Sequence, residues 1–398
     1  MKIRTLDDID VKSKRVLLRV DLNVPITSGR VRDKTRIKRS RRTIKELSQK
    51  GSKVILLAHF GRPKGKVVAC DSLKRIREPL ADELDCIVHF SEDCIGDKAK
   101  VAISAMQDGD ILLLENTRFH VGEEKNDPEF VKALAANGDI YVNDAFSVAH
   151  RSHASTEGLA RLMPSYAGRL MQAEIVALEQ GLERPKRPVV AIVGGSKVST
   201  KINIISNLVG KVDTLVIGGG MANTFLAAHG LNVGHSLCEH ELVNTVHSIM
   251  EKAEQKNCRV LLPIDVVVAG HFAAHAPSKN YNVEDIPSDG MILDVGKRSM
   301  HRICAAIDNA STLVWNGPLG AFELHPFDRG TVLMARWAAE RSRAGDLVSI
   351  AGGGDTVASL NHAGVGEDFT YLSTAGGAFL EWMEGKLLPG LMALEIGP

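Results

Sequence analysis

The chain has 398 residues, 44% apolar and 24% charged, an ordinary globular balance that is long for one hydrophobic core. Its net charge of +1 gives no overall electrostatic case for nucleic acid or a membrane as partner. No apolar run approaches the roughly 20 residues that span a bilayer, and the N-terminal MKIRTLDDIDVKSK lacks the apolar core of a secretory signal.

Strand-like apolar runs alternate with helical stretches from the start. RVLLRVD leads into a basic helical stretch that closes at Gly51, and KVILLAHF into a helix through Leu80 and Leu84. CIVHF and DILLLEN follow, then a helix opened by Asp127 and Pro128, then DIYVNDAF. This βαβ rhythm predicts a mostly parallel sheet with helices on both faces. In MQAEIVALEQGLERPKRP, Met171, Ile175, Leu178 and Leu182 fall at helical spacing before Pro185 and Pro188, which predicts a connecting helix between two domains. The rhythm then resumes with VVAIVGG, TLVIGGG, RVLLPID, MILDVG, TLVWNGP, LVSIAGGG and FTYLSTAGG. Several of these runs end in glycine, where open parallel sheets bind their ligands.

The stretch from Pro188 to Ile202 carries the strongest local signal. Val189 to Val193 reads as a buried strand, Gly194 and Gly195 as a sharp turn, and the residues beyond as a helix start suited to an anion. Lys197 and Lys201, four apart, are expected on one helix face, as polyphosphate ligands or as ordinary surface lysines. In GGGDT, Asp355 reads as a Mg²⁺ ligand beside a phosphate cradle or as a simple N-cap. Glu323 could accept from a ribose. The first half gathers cations at strand ends instead: Arg36, His59, Arg62, Arg118, His150, Arg151 and His153, with Asp21 and Asn23 placed to hold a hydroxyl. Most of the basic run from Arg30 to Lys45 reads as a solvated helix face. His271 and His275 are spaced as a metal pair on a helix but lack a third ligand. The six cysteines show neither C-x-x-C nor zinc spacing and read as free thiols of a reducing cytoplasm.

With these residues in view, the chain resembles phosphoglycerate kinase over essentially its full length. The resemblance rests on RVDLNVP at Arg19, HFGRP at His59, ENTRFH at Glu115, NDAFSVAHRSHAS at Asn143 and GGSKVSTKI at Gly194. GGGMANTF at Gly218, WNGPLGAFE at Trp315, GGGDT at Gly352 and STAGGA at Ser373 complete it, in the family's order. It implies two Rossmann-like α/β domains: 1–169 for 3-phosphoglycerate, a connecting helix and hinge at 170–187, and 188–377 for the nucleotide. A segment at 378–398 would return toward the first. It further implies reversible, Mg²⁺-dependent transfer between ATP and the substrate carboxylate, in a cytoplasmic monomer with hinge-bending closure. Asp21, Asn23, Arg36, His59, Arg62, Arg118 and Arg151 would hold 3-phosphoglycerate. Lys197, Lys201, Gly219, Gly296, Asn316, Glu323, Gly353, Gly354, Asp355 and Thr356 would hold ATP or ADP, with Asp355 toward Mg²⁺. Arg36 and Lys201 would flank the phosphoryl group in flight, and Gly376 and Gly377 would offer N–H groups. The sequence departs from the family at Ala375, where glycine is usual, at Lys297 in DVGKRS, and at Ser147, where glycine is common. Other kinases that make acyl phosphates, and a binding protein using Arg30 to Lys45, are the competing readings.

Overall fold

The computed structural model describes residues 2–395, which form two compact units. The first comprises residues up to 175 together with the stretch from 387, and the second runs from 176 to 386.

In the first unit the strands are β1 (Arg15–Arg19), β2 (Ile26–Thr27), β3 (Arg30–Val31), β4 (Lys53–Leu57), β5 (Val88–Ser91), β6 (Ile111–Leu114), β7 (Ile140–Asn143) and β8 (Ser165–Ala167). Six of them make one sheet in the order β5-β6-β4-β1-β7-β8, every pairing parallel. The central runs are apolar on both faces, as a sheet flanked by helices requires: Val16, Leu17 and Leu18 lie opposite Val54, Ile55 and Leu56, all fully buried. The helix Thr35–Gln49 buries Ile37, Ser40, Ile44 and Leu47 at three- and four-residue spacing and leaves most of its basic residues outside. Before it, β2 and β3 form a small antiparallel hairpin, which the basic run concealed.

The helix Arg169–Leu178 carries the chain into the second unit. Its start is fixed by a buried carboxylate: Asp144 Oδ1 accepts the N–H groups of Leu170 and Met171 at 2.8 and 3.2 Å. Arg169 is clamped by Asp7 and Glu46 at 2.6 and 2.7 Å. Met171, Ile175, Leu178 and Leu182 are all buried, as their spacing predicts. Past Leu178 the backbone widens into a π turn, Glu179–Glu183.

The second unit contains β9 (Val189–Val193), β10 (Thr214–Ile217), β11 (Arg259–Leu261), β12 (Asp265–Ala269), β13 (Ser278–Asn282), β14 (Met291–Val295), β15 (Thr312–Asn316), β16 (Val348–Gly352) and β17 (Tyr371–Ser373). Its parallel sheet runs β11-β10-β9-β15-β16-β17. The expectation that MILDVG joins this rhythm is corrected. It is β14 of a separate antiparallel sheet, order β13-β12-β14. The loop from Ala269 to Ser278 is too short for a parallel crossover, so β12 and β13 pair antiparallel, and β14 pairs with the other edge of β12. The SKNYN of β13 is mostly exposed, so no apolar alternation announced it.

Candidate active site

Four adjacent strands of the first sheet, β6, β4, β1 and β7, send their C-terminal loops to one edge. Those loops carry Arg118, then His59 and Arg62, then Asp21 and Asn23, then Arg151. The start of the helix Thr35–Gln49 adds Arg36. Arg36 Nη1 lies 2.9 Å from Asp21 Oδ2 and donates to the Asn23 carbonyl at 2.9 Å. The Asn23 side-chain oxygen accepts from the Gly61 N–H at 3.1 Å, tying this loop to the one after β4. Ser147 donates its hydroxyl to Asp21. Arg118 is buried, donates to the Gly61 carbonyl at 2.8 Å, and has its Nε 3.2 Å from Glu124 without the alignment of a hydrogen bond. Arg62 is exposed.

Sequence reasoning missed the residue that organises this edge. Arg19, the last residue of β1, is 1% exposed. It donates to Ser155 Oγ at 2.8 Å, and Ser155 in turn donates to the buried Glu123 carboxylate at 2.6 Å. Its Nη2 lies 3.0 Å from His59 Nδ1. A guanidinium can only donate, so this contact leaves the imidazole proton on Nε2. The signal was an arginine closing an otherwise apolar strand.

Positive charge accumulates faster than the protein neutralises it. Burial, then Arg19, Arg118, Arg151 and Arg36, hold the His59 pKa well below the usual histidine range. Burial, then Arg118, Arg19, Arg151 and His150, bring His153 down to about 3. Burial and Arg151 lower Arg118 to about 10, and burial and Arg62 lower Arg151. Such an edge favours a multivalent anion.

In the second unit, five adjacent strands, β10, β9, β15, β16 and β17, present glycine-rich loops on one edge. Three helices begin there on glycines with positive φ: Gly219 at 68°, Gly353 at 98° and Gly376 at 59°. Their free N–H groups and positive dipole ends attract phosphate. Asp355 lies in the first turn of the helix Gly354–His362, but Gly353 occupies the cap position, so the N-cap reading of Asp355 is corrected. Among the described residues Asp355 makes no hydrogen bond or ion pair.

Lys197 and Lys201 do not share a helix face. Residues 195–201 form a turn, pinned where Ser199 donates to Glu239, and the helix begins only at Ile202. Lys197 is exposed. Lys201 folds inward and donates to the Gly194 carbonyl at 2.5 Å and to Asn316 Oδ1 at 2.6 Å. Burial lowers its pKa to about 8, partly offset by Asp355. Asn316 passes the contact on, its amide donating to the Gly352 carbonyl at 2.7 Å. Thr356 Oγ1 accepts from the Gly317 N–H at 2.7 Å and donates to that same carbonyl at 2.8 Å.

Beside these helix starts lies a cavity of about 290 Å³, floored by Val266, Leu293 and Leu319 and edged by Phe272, Glu323 and Asp355. Apolar walls with a few polar groups suit an aromatic base. Phe272, 61% exposed, was missed; a lone exposed phenylalanine gives no sequence pattern. Gly219 lines this cavity and Gly296 does not. Gly296 caps the helix Lys297–Asp308, and a Cβ there would stand 2.3 Å from the Asp265 carboxyl carbon. Lys297 is exposed and away from the lining. Ala375 is not at positive φ; Gly376 is. His271 and His275 lie in bends and turns, not on a helix, which corrects the helical metal-pair reading.

The family model described as phosphoglycerate kinase matches residues 6–386. The phosphoglycerate kinase of Brucella abortus biovar 1 (strain 9-941) is 67% identical over 99% of this chain and 100% of its own length. That of Methylorubrum populi is 65% identical over 98% of both. Among solved structures, phosphoglycerate kinase from Coxiella burnetii superposes with a TM-score of 0.92 at 40% identity, covering 99% of each chain. The enzyme from Pyrococcus horikoshii OT3 does so at 0.81 and 30%, covering 98% of each. The chain therefore belongs to the phosphoglycerate kinase family, the glycolytic kinases that transfer a phosphoryl group between ATP and 3-phosphoglycerate.

Proposed function

We propose that the cation edge of the first unit binds 3-phosphoglycerate through Asp21, Asn23, Arg36, His59, Arg62, Arg118 and Arg151. In this reading the glycine edge of the second unit binds the nucleotide through Lys197, Lys201, Gly219, Asn316, Glu323 and Gly353 to Thr356, with Gly296 packed behind the cavity against Asp265. The observation that carries the reading is the positive charge of Arg19, Arg118 and Arg151 gathered at one sheet edge, which together with burial holds His59 and His153 neutral. A molecule with a carboxylate and a phosphate supplies the missing anions, and Asp21, already paired with Arg36, is placed to accept from its hydroxyl.

The acceptor carboxylate is ionised at neutral pH and needs no general base. Catalysis is then positioning plus stabilisation of charge on the moving phosphoryl group. Arg36 from the first unit and Lys201 from the second supply cations, and Gly376 supplies a backbone N–H at a helix start. Asp355 fits a Mg²⁺ ligand, being an exposed carboxylate in the first turn after a glycine cap with no hydrogen bond or ion pair among the described residues. An ion held there would offset negative charge on the nucleotide phosphates. Closure of the two units around both substrates excludes water from the acyl phosphate. A monomeric, cytoplasmic enzyme belongs to the same reading, drawn from the family alone.

Calorimetric titration of each substrate separately tests the assignment. Arg151→Ala is expected to weaken 3-phosphoglycerate by roughly tenfold or more, from a lost charge-assisted contact of about 1.5–3 kcal/mol, with Mg-ADP unchanged. Asp355→Asn is expected to do the reverse. A selective nucleotide defect in Arg151→Ala would overturn the division of labour between the units.

A further inference from the structure

The loop after β5 and the turn after β6 meet outside the cation edge, because β5 and β6 are paired neighbours with Ser91 opposite Leu114. They bring together Asp93, Cys94 and His120, and one ligand atom from each lies within 4.8 Å of the others. Twenty-six positions separate His120 from Cys94, so no sequence spacing disclosed the group. Cys94 is fully buried, while the side chains of Asp93 and His120 are 37% and 30% exposed. The group therefore has a soft inner end and a polar mouth open to solvent.

Each member is held in place by the fold. The His120 ring stacks on Phe130 at 5.1 Å between centroids, and its Nε2 is 2.8 Å from Asp93 Oδ1. That same oxygen accepts the N–H groups of Cys94 and Ile95 at 2.7 and 3.4 Å, which leaves Oδ2 without a hydrogen bond among the described residues. The Cys94 carbonyl accepts from the Asn137 amide at 2.9 Å, fixing the backbone behind the sulfur.

We propose that Asp93, Cys94 and His120 form a zinc site, with one thiolate, one imidazole nitrogen and one carboxylate oxygen as ligands and a fourth position open to water. This ligand set suits Zn²⁺ or Co²⁺ and disfavours Mg²⁺ and Ca²⁺, which take oxygen. Tetrahedral zinc bonds of 2.0–2.3 Å set ligand atoms roughly 3.3–3.6 Å apart, so the 2.8 Å contact between His120 Nε2 and Asp93 Oδ1 must open and any pair near the 4.8 Å limit must close. Rotation of the two half-exposed side chains supplies that movement. As the Zn–S bond forms, the thiol proton of Cys94 passes to solvent, one per ion. The bound ion ties the loop after edge strand β5 to the turn that carries Arg118.

The test is titration of the reduced, full-length protein with Co²⁺ and then Zn²⁺, with no other metal present. The expected result is one equivalent bound, a thiolate-to-cobalt charge-transfer band that zinc bleaches, one proton released per ion, and a higher melting temperature with zinc. Cys94→Ser should abolish the band, and Asp93→Asn and His120→Asn should each weaken zinc by about tenfold or more. The band surviving in Cys94→Ser would place the ion on another thiol and overturn the site, as would the absence of stoichiometric zinc binding in the micromolar range. Should Cys94→Ser not fold, unchanged zinc affinity in His120→Asn overturns it equally.

Discussion

Lys201 shows how one residue's environment becomes a property of the enzyme. Its ammonium is buried among carbonyl oxygens, and burial lowers its pKa to about 8 despite the nearby Asp355. Loss of the proton thus sets in around pH ~8 in the free protein. A bound polyphosphate favours the charged form and raises the pKa again. We expect kcat/KM for Mg-ATP to fall about tenfold per pH unit above pH ~8, while kcat at saturating nucleotide holds to higher pH. Lys201→Arg, which stays charged, should remove that alkaline limb, and Lys201→Ala or Arg36→Ala should cost on the order of 10²–10³ in kcat. A wild-type kcat/KM flat to pH ~9.5 would mean the Lys201 charge is not needed for nucleotide capture. His59 makes the opposite case. Its depressed pKa keeps it neutral, and the Arg19 contact leaves Nε2–H as the group it can offer. His59→Gln can present an N–H in its place, so it should raise KM for 3-phosphoglycerate and leave the shape of the kcat profile between pH ~6 and ~9 unchanged. A new or lost limb in that range would point to proton transfer by the histidine.

At the scale of elements, the glycine edge of the second unit is a row of strand–glycine–helix joints, and its glycines are not equivalent. A Cβ on Gly353 would stand 2.5 Å from Asn316 Nδ2, the amide that links Lys201 to the Gly352 carbonyl, whereas one on Gly376 meets nothing within 4 Å. Gly353→Ala should therefore displace Asn316, loosen Lys201 and move its alkaline limb. Gly376→Ala carries only the cost of its positive φ, about 1–2 kcal/mol, and should leave that limb in place. Nucleotide-dependent pH profiles of the two variants decide it, and identical shifts would mean the Asn316 bridge does not control Lys201. These joints could be read in the sequence because each is an apolar run meeting glycine, a purely local pattern. The antiparallel β13-β12-β14 sheet could not, since SKNYN has neither alternation nor apolar bulk and is held by its register with β12. The turn from 195 to 201 was misread as helix for a similar reason: Glu239, some forty residues on, pins it through Ser199. Arg19 escaped because its partners Ser155 and Glu123 lie more than a hundred residues away. Local chemistry shows in a sequence, and contacts made by topology do not.

At the scale of the whole molecule, the chain is two units, each with its own parallel sheet and hydrophobic core, joined through the helix Arg169–Leu178. The cations proposed for 3-phosphoglycerate belong to one unit and the glycine edge proposed for the nucleotide to the other, so neither unit alone can complete the transfer. On that proposal, catalysis needs a state in which both substrates share a site from which water is excluded. Each ligand can favour that state only by binding it more tightly than the open one. Shifting an equilibrium from 1:99 to 99:1 takes about 10⁴-fold in differential affinity, roughly 5.5 kcal/mol. A ligand that touches one unit in the open state gains only the contacts closure adds, so the two ligands together are expected to supply the shift. Small-angle scattering should therefore show little compaction with 3-phosphoglycerate alone or with a non-reactive Mg-nucleotide analogue alone, and clear compaction with both. By linkage, each ligand should also tighten the other by the same factor in calorimetric titrations. Full compaction with a single ligand, or affinities that ignore the second ligand, would show that the units close independently of the assembled substrate pair, and water exclusion would have to come from within one unit.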